Sequence, residues 1–382
     1  MRKIVVVTGT RAEFGVLTPV LEEIRRTDGL ELHLVVTGMH LSKVHGYTLE
    51  EIRKSGFEVD EVVDMGEGGD TGAAMATALG EGIVGMTGAF ERIDPDIVLV
   101  LGDRSEAFAG AIAGAYMNKT VAHVHGGEVT KGCIDESIRH AITKLAHIHF
   151  PATEDGANRI IRLGERPENI HVVGAPALDV ILNAPRSPPE ELAKEFSLDL
   201  GKPIILAVQH PVTTQVAEAA KQMRITLEAL KTVKAQTILI YPNNDAGGMS
   251  MIRVIEETRL PPYIKPYRSL PQRQYLGLMS VATAMVGNSS SGLIEAPSFG
   301  LPFINIGIRQ EGRLRGENVI DVPHDKDAII EAIDRAINNK AFREKVKNGR
   351  NPWGDGKASK RIVDILKSLV IDDGLLQKQI TY

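Results

Sequence analysis

Residues 3–11 read KIVVVTGTR. Ile4, Val5, Val6 and Val7 form a β-branched run that stops at Thr8-Gly9-Thr10-Arg11, after which Phe14, Val16, Leu17, Val20, Leu21 and Ile24 recur at helical spacing. Strand, glycine turn and amphipathic helix in that order make a βα unit. An uninterrupted apolar strand needs cover on both faces, and parallel sheets flanked by helices provide it. The same pattern repeats outward along the chain. Strands are expected at 31–37, a shorter one at 61–64, then 97–101 (IVLVL) stopping at Gly102-Asp103-Arg104, 120–125 and 147–151. Helical periodicity runs through 107–116 and 135–146.

The series then restarts. A strand-like 171–173, a turn at Gly174-Ala175-Pro176 and a helix through Asn183 lead to 185–189 (PRSPP). Three prolines in five residues are excluded from a helix interior, which makes this stretch the linker candidate. Residues 203–208 (PIILAV) open a second βα series ending at Gln209-His210-Pro211, with further strands at 237–241, 282–286 and 301–306. Residues 362–370 close the chain as an apolar-periodic helix. The expected class is α/β, with two Rossmann-like doubly wound domains facing each other across a cleft. Their bounds are 1–182 and 183–360, and 361–382 form a helix and tail that pack back toward the first domain.

Composition limits the partners. The chain of 382 residues is 43% hydrophobic and 24% charged with 37 glycines, which describes a soluble α/β protein rich in tight turns. A net charge of −5 gives no broad attraction to nucleic acid or to an anionic membrane, so an anionic ligand requires a local basic pocket. With Cys133 as its one cysteine the chain forms no internal disulfide, in keeping with a reducing compartment. The apolar run at the N-terminus is too short for a signal peptide or a membrane span, so the expected location is cytoplasmic.

In doubly wound sheets ligands sit beyond the carboxyl ends of the strands. Here those ends are residues 8–11, 102–104, 123–128, 210, 243–245 and 288–291. Residues 287–295 (GNSSSGLIE) lie between a strand and a helix. Small residues there let backbone approach a phosphate, N–H groups and hydroxyls supply donors, and Glu295 one turn on suits a ribose. A serine-capped helix start without ligand has the same composition. Arg309, Arg313 and Arg315, interleaved with glycines, are either a diphosphate clamp or a solvated basic loop. Arg11 and His210 occupy strand ends where each can meet the same anion.

Asp103 follows an apolar strand, where it either pairs with Arg104 or is held for proton chemistry. Asp135 and Glu136 begin a helix, where acids suit the dipole in any case. In VAHVHGGE, residues 121–128, His123 and His125 are spaced to share one side of a strand, with Glu128 as a third metal ligand. No HExxH, CxxC or aspartate-rich loop accompanies them, so a metal-free acid/base cluster is the leading reading.

Taken in order, VTGTRAEFG, LGDRSE, HGGEVTKGCIDESIRHAITKLAH, QHPVTT, YPNNDAGG, GNSSSGLIEAPSFGLP and GIRQEGR–RGENV resemble the hydrolysing UDP-N-acetylglucosamine 2-epimerases. These are the bacterial and archaeal sialic-acid-pathway enzymes and the epimerase half of the animal bifunctional epimerase/kinase. The resemblance runs nearly end to end. It implies a glycosyltransferase-B-like fold, a homodimer or homotetramer, no cofactor or metal, and a UDP-sugar substrate. The implied reaction converts UDP-N-acetylglucosamine and water to N-acetylmannosamine and UDP, by anti elimination to a 2-acetamidoglucal followed by hydration. Carried onto this chain, the nucleotide grip falls on Arg11, His210, Ser289, Ser290, Glu295 and Arg309, with backbone at Ser269 and Leu270 facing the base. The acid/base set falls on Asp103, His125, Glu128 and Asp135. Several relatives have glutamate where this chain has His125, so either His125 or Glu128 takes that role. A non-hydrolysing epimerase would read His-Val-Glu-Ala-Gly-Leu-Arg in place of HGGE. A hydrolysing enzyme for a 2,4-diacetamido-6-deoxy sugar nucleotide, on UDP or GDP, and a glycosyltransferase are the other readings.

Overall fold

The computed structural model describes residues 1–42, 47–66, 72–129, 134–242 and 247–382. Residues 243–245, expected at a strand end, and Cys133 lie outside the described residues. The chain divides into two units, Met1–Val180 with Trp353–Tyr382, and Ile181–Pro352.

Unit 1 holds β1 (Arg2–Thr8), β2 (Leu30–Thr37), β3 (Glu61–Val63), β4 (Ile97–Leu101), β5 (Thr120–Val124) and β6 (Ile148–Phe150), in the order β3-β2-β1-β4-β5-β6. Every pairing is parallel. Alternation along β1 loads both faces. Ile4 and Val6 join Leu17, Leu21, Ile24 and Ile362 in one core, while Val5 and Val7 join Met86, Phe90, Ala107 and Ala111 in the other. Among the described residues one helix, Gly72–Ile93, is long and apolar enough to cross a membrane by length and composition. Its Met86, Ala89, Phe90 and Ile93 are buried in the second of these cores.

Unit 2 repeats the plan with β7 (Ile204–Val208), β8 (Gln236–Ile240), β9 (Ile264–Tyr267), β10 (Ala284–Gly287), β11 (Phe303–Ile306) and β12 (Val319–Val322). The order β12-β11-β10-β7-β8-β9 is again wholly parallel. Strand order reverses between β1 and β4 in one sheet and between β7 and β10 in the other, so each unit has one topological switch point.

Some expectations need correction. The proline-rich stretch lies just past the boundary, inside unit 2: its three prolines are exposed, but Ser187 is buried, its N–H donates to the Arg273 carbonyl at 3.1 Å, and Pro189 opens the helix Pro189–Glu195. The chain rejoins unit 1 at Trp353 rather than at 361. The Trp353 carbonyl accepts from Ala175 N at 2.7 Å, and Asp179 caps the helix Ala358–Ser368 through the N–H groups of Ala358 (2.9 Å) and Ser359 (2.7 Å). Residues 171–173 form no strand, and only a single bridge joins His149 to Ile170.

At unit 2's switch point, Gly287 has φ +135°, and a Cβ on it would lie 2.0 Å from the Val208 carbonyl oxygen. Only glycine lets β10 leave the sheet this close to β7. Gly287→Ala is therefore expected to destabilise the protein by about 3 kcal/mol or more, read as a lowered urea midpoint. An unchanged midpoint contradicts this account.

Candidate active site

Unit 2's carboxyl edge is organised by Asn288, which is fully buried. Its Oδ1 accepts from His210 N at 2.6 Å and its Nδ2 donates to His210 O at 2.9 Å, so one amide locks the exit of β7 to the exit of β10. Its own carbonyl accepts from Gln310 Nε2 at 2.8 Å and Arg309 Nη1 at 3.3 Å, which brings in the loop after β11. Ser289 is buried, Ser290 is half-buried, and the Ser289 Oγ accepts from Ser291 N at 3.4 Å. The helix that follows is a single turn, Ser291–Ile294, so its dipole adds little and the donors are mainly individual N–H and O–H groups.

Glu295 closes that turn. Burial of its carboxyl raises its pKa against a hydrogen bond from Ser291, although the residue as a whole is only partly covered. Burial, then the Glu295 charge, raises the phenol of Tyr275 as well. Arg315 pairs with Asp321 at 2.7 Å and donates to the Arg313 carbonyl, while Arg313 donates to Gln310 Oε1 at 3.2 Å. Of the three arginines, Arg309 thus stands on the serine loop. Ser269 is exposed and Leu270 half-buried just past β9, on the same sheet edge.

Unit 1's edge is built on charge. Thr10 caps the helix Arg11–Arg26 by accepting from Glu13 N at 3.2 Å, and Glu13 Oε2 reaches back to accept from Gly9 N at 2.7 Å. Burial, opposed by that N–H bond and reinforced by the neighbouring Glu106, pushes the Glu13 carboxyl up to about 8. Glu106 lies where a Cβ on Gly9 or Gly38 would be, at 2.5 Å and 2.3 Å from its atoms. Arg104 pairs with Glu106 at 3.2 Å and not with Asp103, contrary to the alternative read from sequence. Arg11, at the first helical position, is largely exposed and pairs with Glu51 at 3.2 Å.

Asp103 instead accepts from Arg139 Nη2 of the helix Ile134–Leu145. Arg139 is 4% exposed, and its Nη1 also donates to the Glu128 carbonyl at 2.9 Å and to Glu136 Oε2 at 3.0 Å. One guanidinium therefore joins the exit of β4, the loop after β5 and the helix start. Asp135 stands half-buried in that first turn, one turn ahead of Arg139. Neither Arg139 nor Gln310 was picked out from sequence. Arg139 sits mid-helix, where a lone arginine reads as a solvated residue, and Gln310 sits among arginines whose charge is the stronger local signal.

The two histidines do not share a side. His123 is fully buried, its Nε2 meets the Gly102 carbonyl at 2.7 Å, and burial lowers its imidazole to about 3. β5 stops at Val124, because His125 takes the left-handed conformation (φ +64°) while its N–H donates to the Phe150 carbonyl at 3.0 Å. That turn swings His125 Nδ1 to within 2.5 Å of Glu128 Oε1. The metal hook read from the His-x-His spacing is thus a neutral core histidine beside an imidazole–carboxylate dyad. Among the described residues no group of three His, Cys, Asp or Glu converges as a metal-ligand set. Asp103 and the dyad lie past the neighbouring strands β4 and β5, where they can take and give protons.

A family model described as UDP-N-acetylglucosamine 2-epimerase matches residues 22–367. The chain belongs to this family. It is 39% identical over 378 residues to the UDP-N,N'-diacetylbacillosamine 2-epimerase (hydrolyzing) of Legionella pneumophila, covering 99% of each chain. It is 36% identical over 336 residues to the UDP-N-acetylglucosamine 2-epimerase of Neisseria meningitidis, covering 88% of each. The fold matches the crystal structure of UDP-GlcNAc 2-epimerase from Neisseria meningitidis bound to UDP-GlcNAc, with a TM-score of 0.80 and 20% identity over 95% of this chain and 99% of that one. The epimerase fold is the glycosyltransferase-B-like one, with two parallel six-stranded sheets.

The Glu13 carboxyl carries a pH signature in this epimerase. It ionises near 4.5 unfolded and at about 8 folded. The folded chain thus binds the extra proton across that window, and this group's contribution to stability is lost as pH rises through it. Glu13→Gln keeps an acceptor for Gly9 N and removes the titration. The variant is expected to gain stability over the wild type at pH 8 but not at pH 5, by urea unfolding at each pH. A difference independent of pH would contradict the assignment.

Proposed function

We propose that this family member is a hydrolysing 2-epimerase, which converts a UDP-linked 2-acetamido sugar and water into the free C2 epimer and UDP, for sialic-acid-type sugar biosynthesis. The observation that carries the reading is the set of proton-handling groups on unit 1. There Arg139 fixes Asp103, and His125 and Glu128 form a dyad past the adjoining strand. Inversion at C2 needs two proton transfers on opposite faces of the sugar, and two separately held groups supply them. In the first step a base takes the C2 proton, the C1–O bond breaks and its electron pair leaves with UDP, giving a C1=C2 glycal. In the second, an acid returns a proton to C2 from the other face and water adds at C1. Asp103 and the His125–Glu128 pair carry these steps, with Asp135 beside Arg139 on the same helix.

Unit 2 holds the leaving group. His210, Ser289, Ser290 and Arg309 bind the diphosphate, Glu295 takes the ribose, and the backbone at Ser269–Leu270 meets the base. The departing diphosphate is stabilised by fixed donors, since the Asn288 lattice leaves Arg309 and the serine loop little freedom to rearrange. Hydrolysis rather than reversible epimerisation is supported by HGGE followed by IDESIRH, and by the relatives named as hydrolysing enzymes. The 34% identity over 377 residues to polysialic acid biosynthesis protein P7 of Escherichia coli supports the pathway. A second reading concerns the sugar. The relatives named for UDP-N,N'-diacetylbacillosamine favour a 4-acetamido-6-deoxy substrate over UDP-N-acetylglucosamine.

The reading is tested by incubating the enzyme in heavy water with each of the two UDP-sugars and following proton NMR. One of them is expected to yield UDP and a free sugar epimerised and deuterated at C2. An intact UDP-linked epimer, or two unchanged substrates, would overturn it. Asp103→Asn is expected to lower kcat by about 10²–10⁴ while the Kd for UDP by calorimetry stays within about threefold. Near-normal turnover would remove Asp103 from the chemistry.

A further inference from the structure

The helix Ile134–Leu145 presents Asp135, Glu136 and Arg139 from its first half. Its last carbonyls, like those of any helix, have no partner within the helix. Here they are met by one ammonium from the far end of the chain. Lys378 Nζ donates to the carbonyls of Thr143 at 3.2 Å, Lys144 at 3.0 Å and Ala146, and pairs with Glu165 Oε2 at 2.6 Å. Glu165 is 3% exposed and also accepts from Lys144 Nζ at 2.6 Å and His149 Nε2 at 3.2 Å. Burial works against the Glu165 charge, but the hydrogen bonds from His149, Lys144 and Lys378 outweigh it and bring the carboxyl down to about 2.

The tail that carries Lys378 is itself anchored on both sides. Asp372 caps the turn Asp373–Leu376, Leu375 is buried in the unit 1 core, and Thr381 N donates to the Gly164 carbonyl at 3.2 Å. Gly164 has φ +84°, and the Tyr382 ring lies 2.8 Å from where its Cβ would be. A surface lysine capping a helix end interacts weakly with the dipole. A half-buried one with a carboxylate and three carbonyls around it is in the stronger class.

A helix is stiff along its axis, so a shift at Thr143–Lys144 is transmitted to Arg139 one turn away and then to Asp103. We infer that Lys378 is a positioning residue: the C-terminal tail fixes the seat of the helix Ile134–Leu145, and so the placing of Arg139 on Asp103. This inference rests on the proposed use of Asp103 in proton transfer.

The test uses full-length Lys378→Met and Lys378→Arg. Lys378→Met is expected to lower kcat by about tenfold or more, with KM and the Kd for UDP unchanged within about twofold, and to speed amide hydrogen exchange in the helix Ile134–Leu145. Lys378→Arg is expected to restore kcat to within about threefold of wild type, because it returns the charge and donors. Lys378→Gln keeps two N–H donors, and it carries the same expectations for kcat, KM and exchange should the methionine variant not fold. Wild-type kcat in the folded neutral variant, or losses of kcat and nucleotide binding together with no rescue by arginine, would overturn the inference. The exchange measurement needs no substrate. A failed clamp therefore shows as unchanged exchange in an active variant, whereas a failed hydrolysing reading shows as wild-type enzyme that leaves both UDP-sugars intact.

Discussion

The carboxyl edge of unit 1 depends on one buried guanidinium. Arg139 gives hydrogen bonds to Asp103, to the Glu128 carbonyl and to Glu136, and so ties together segments that leave two strands and start a helix. Removing one partner of such a buried pair typically costs about 3–5 kcal/mol, because the other charge is left without compensation. The arrangement is therefore rigid in a specific sense: Asp103 cannot move without giving up its bond from an Arg139 that Glu136 and the Glu128 carbonyl hold in place. On the proposed reading, in which Asp103 takes part in proton transfer at C2, that constraint fixes the angle at which the carboxylate meets the C–H bond.

Unit 2 solves the same topological problem with a neutral group. Asn288 bonds both backbone groups of His210 and offers its carbonyl to Arg309 and Gln310. The lock itself is made by an amide side chain on backbone groups, with a guanidinium and a second amide on its carbonyl. The two sheets share one strand order, yet their switch points differ in chemistry. One is tied by a guanidinium shared among carboxylates and a carbonyl, and the other by an amide on the backbone of a neighbouring strand end.

Much of this was legible in the sequence where a signal is local. The strand 97–101 matches its expected bounds, and the strand at 203–208 does so to within a residue, since each is a short apolar run rich in β-branched residues and bounded by Pro or Gly. β9 (IKPY) and β12 (VIDV) were missed because each has four residues and carries Pro or Asp, so alternation has no room to show. Boundaries also failed where tertiary contact decides. Asp179 caps a helix that begins at Ala358, and no periodicity announces a cap from that far away. In the site, the residue types and their strand-end placement were readable, but the pairings were not. Arg104 is adjacent to Asp103 in sequence, yet it bonds Glu106, while the partner of Asp103 comes from a helix packed alongside. The left-handed backbone at His125, which turns a strand-like His-x-His into a dyad with Glu128, has no marker in composition.

The central claim is that Asp103 and Arg139 act as one unit in catalysis. A double-mutant cycle on kcat/KM with Asp103→Asn, Arg139→Lys and the double variant measures it directly. If Arg139 works through Asp103, the double variant loses little more than Asp103→Asn alone. Losses that multiply, as for two independent residues, would contradict the account.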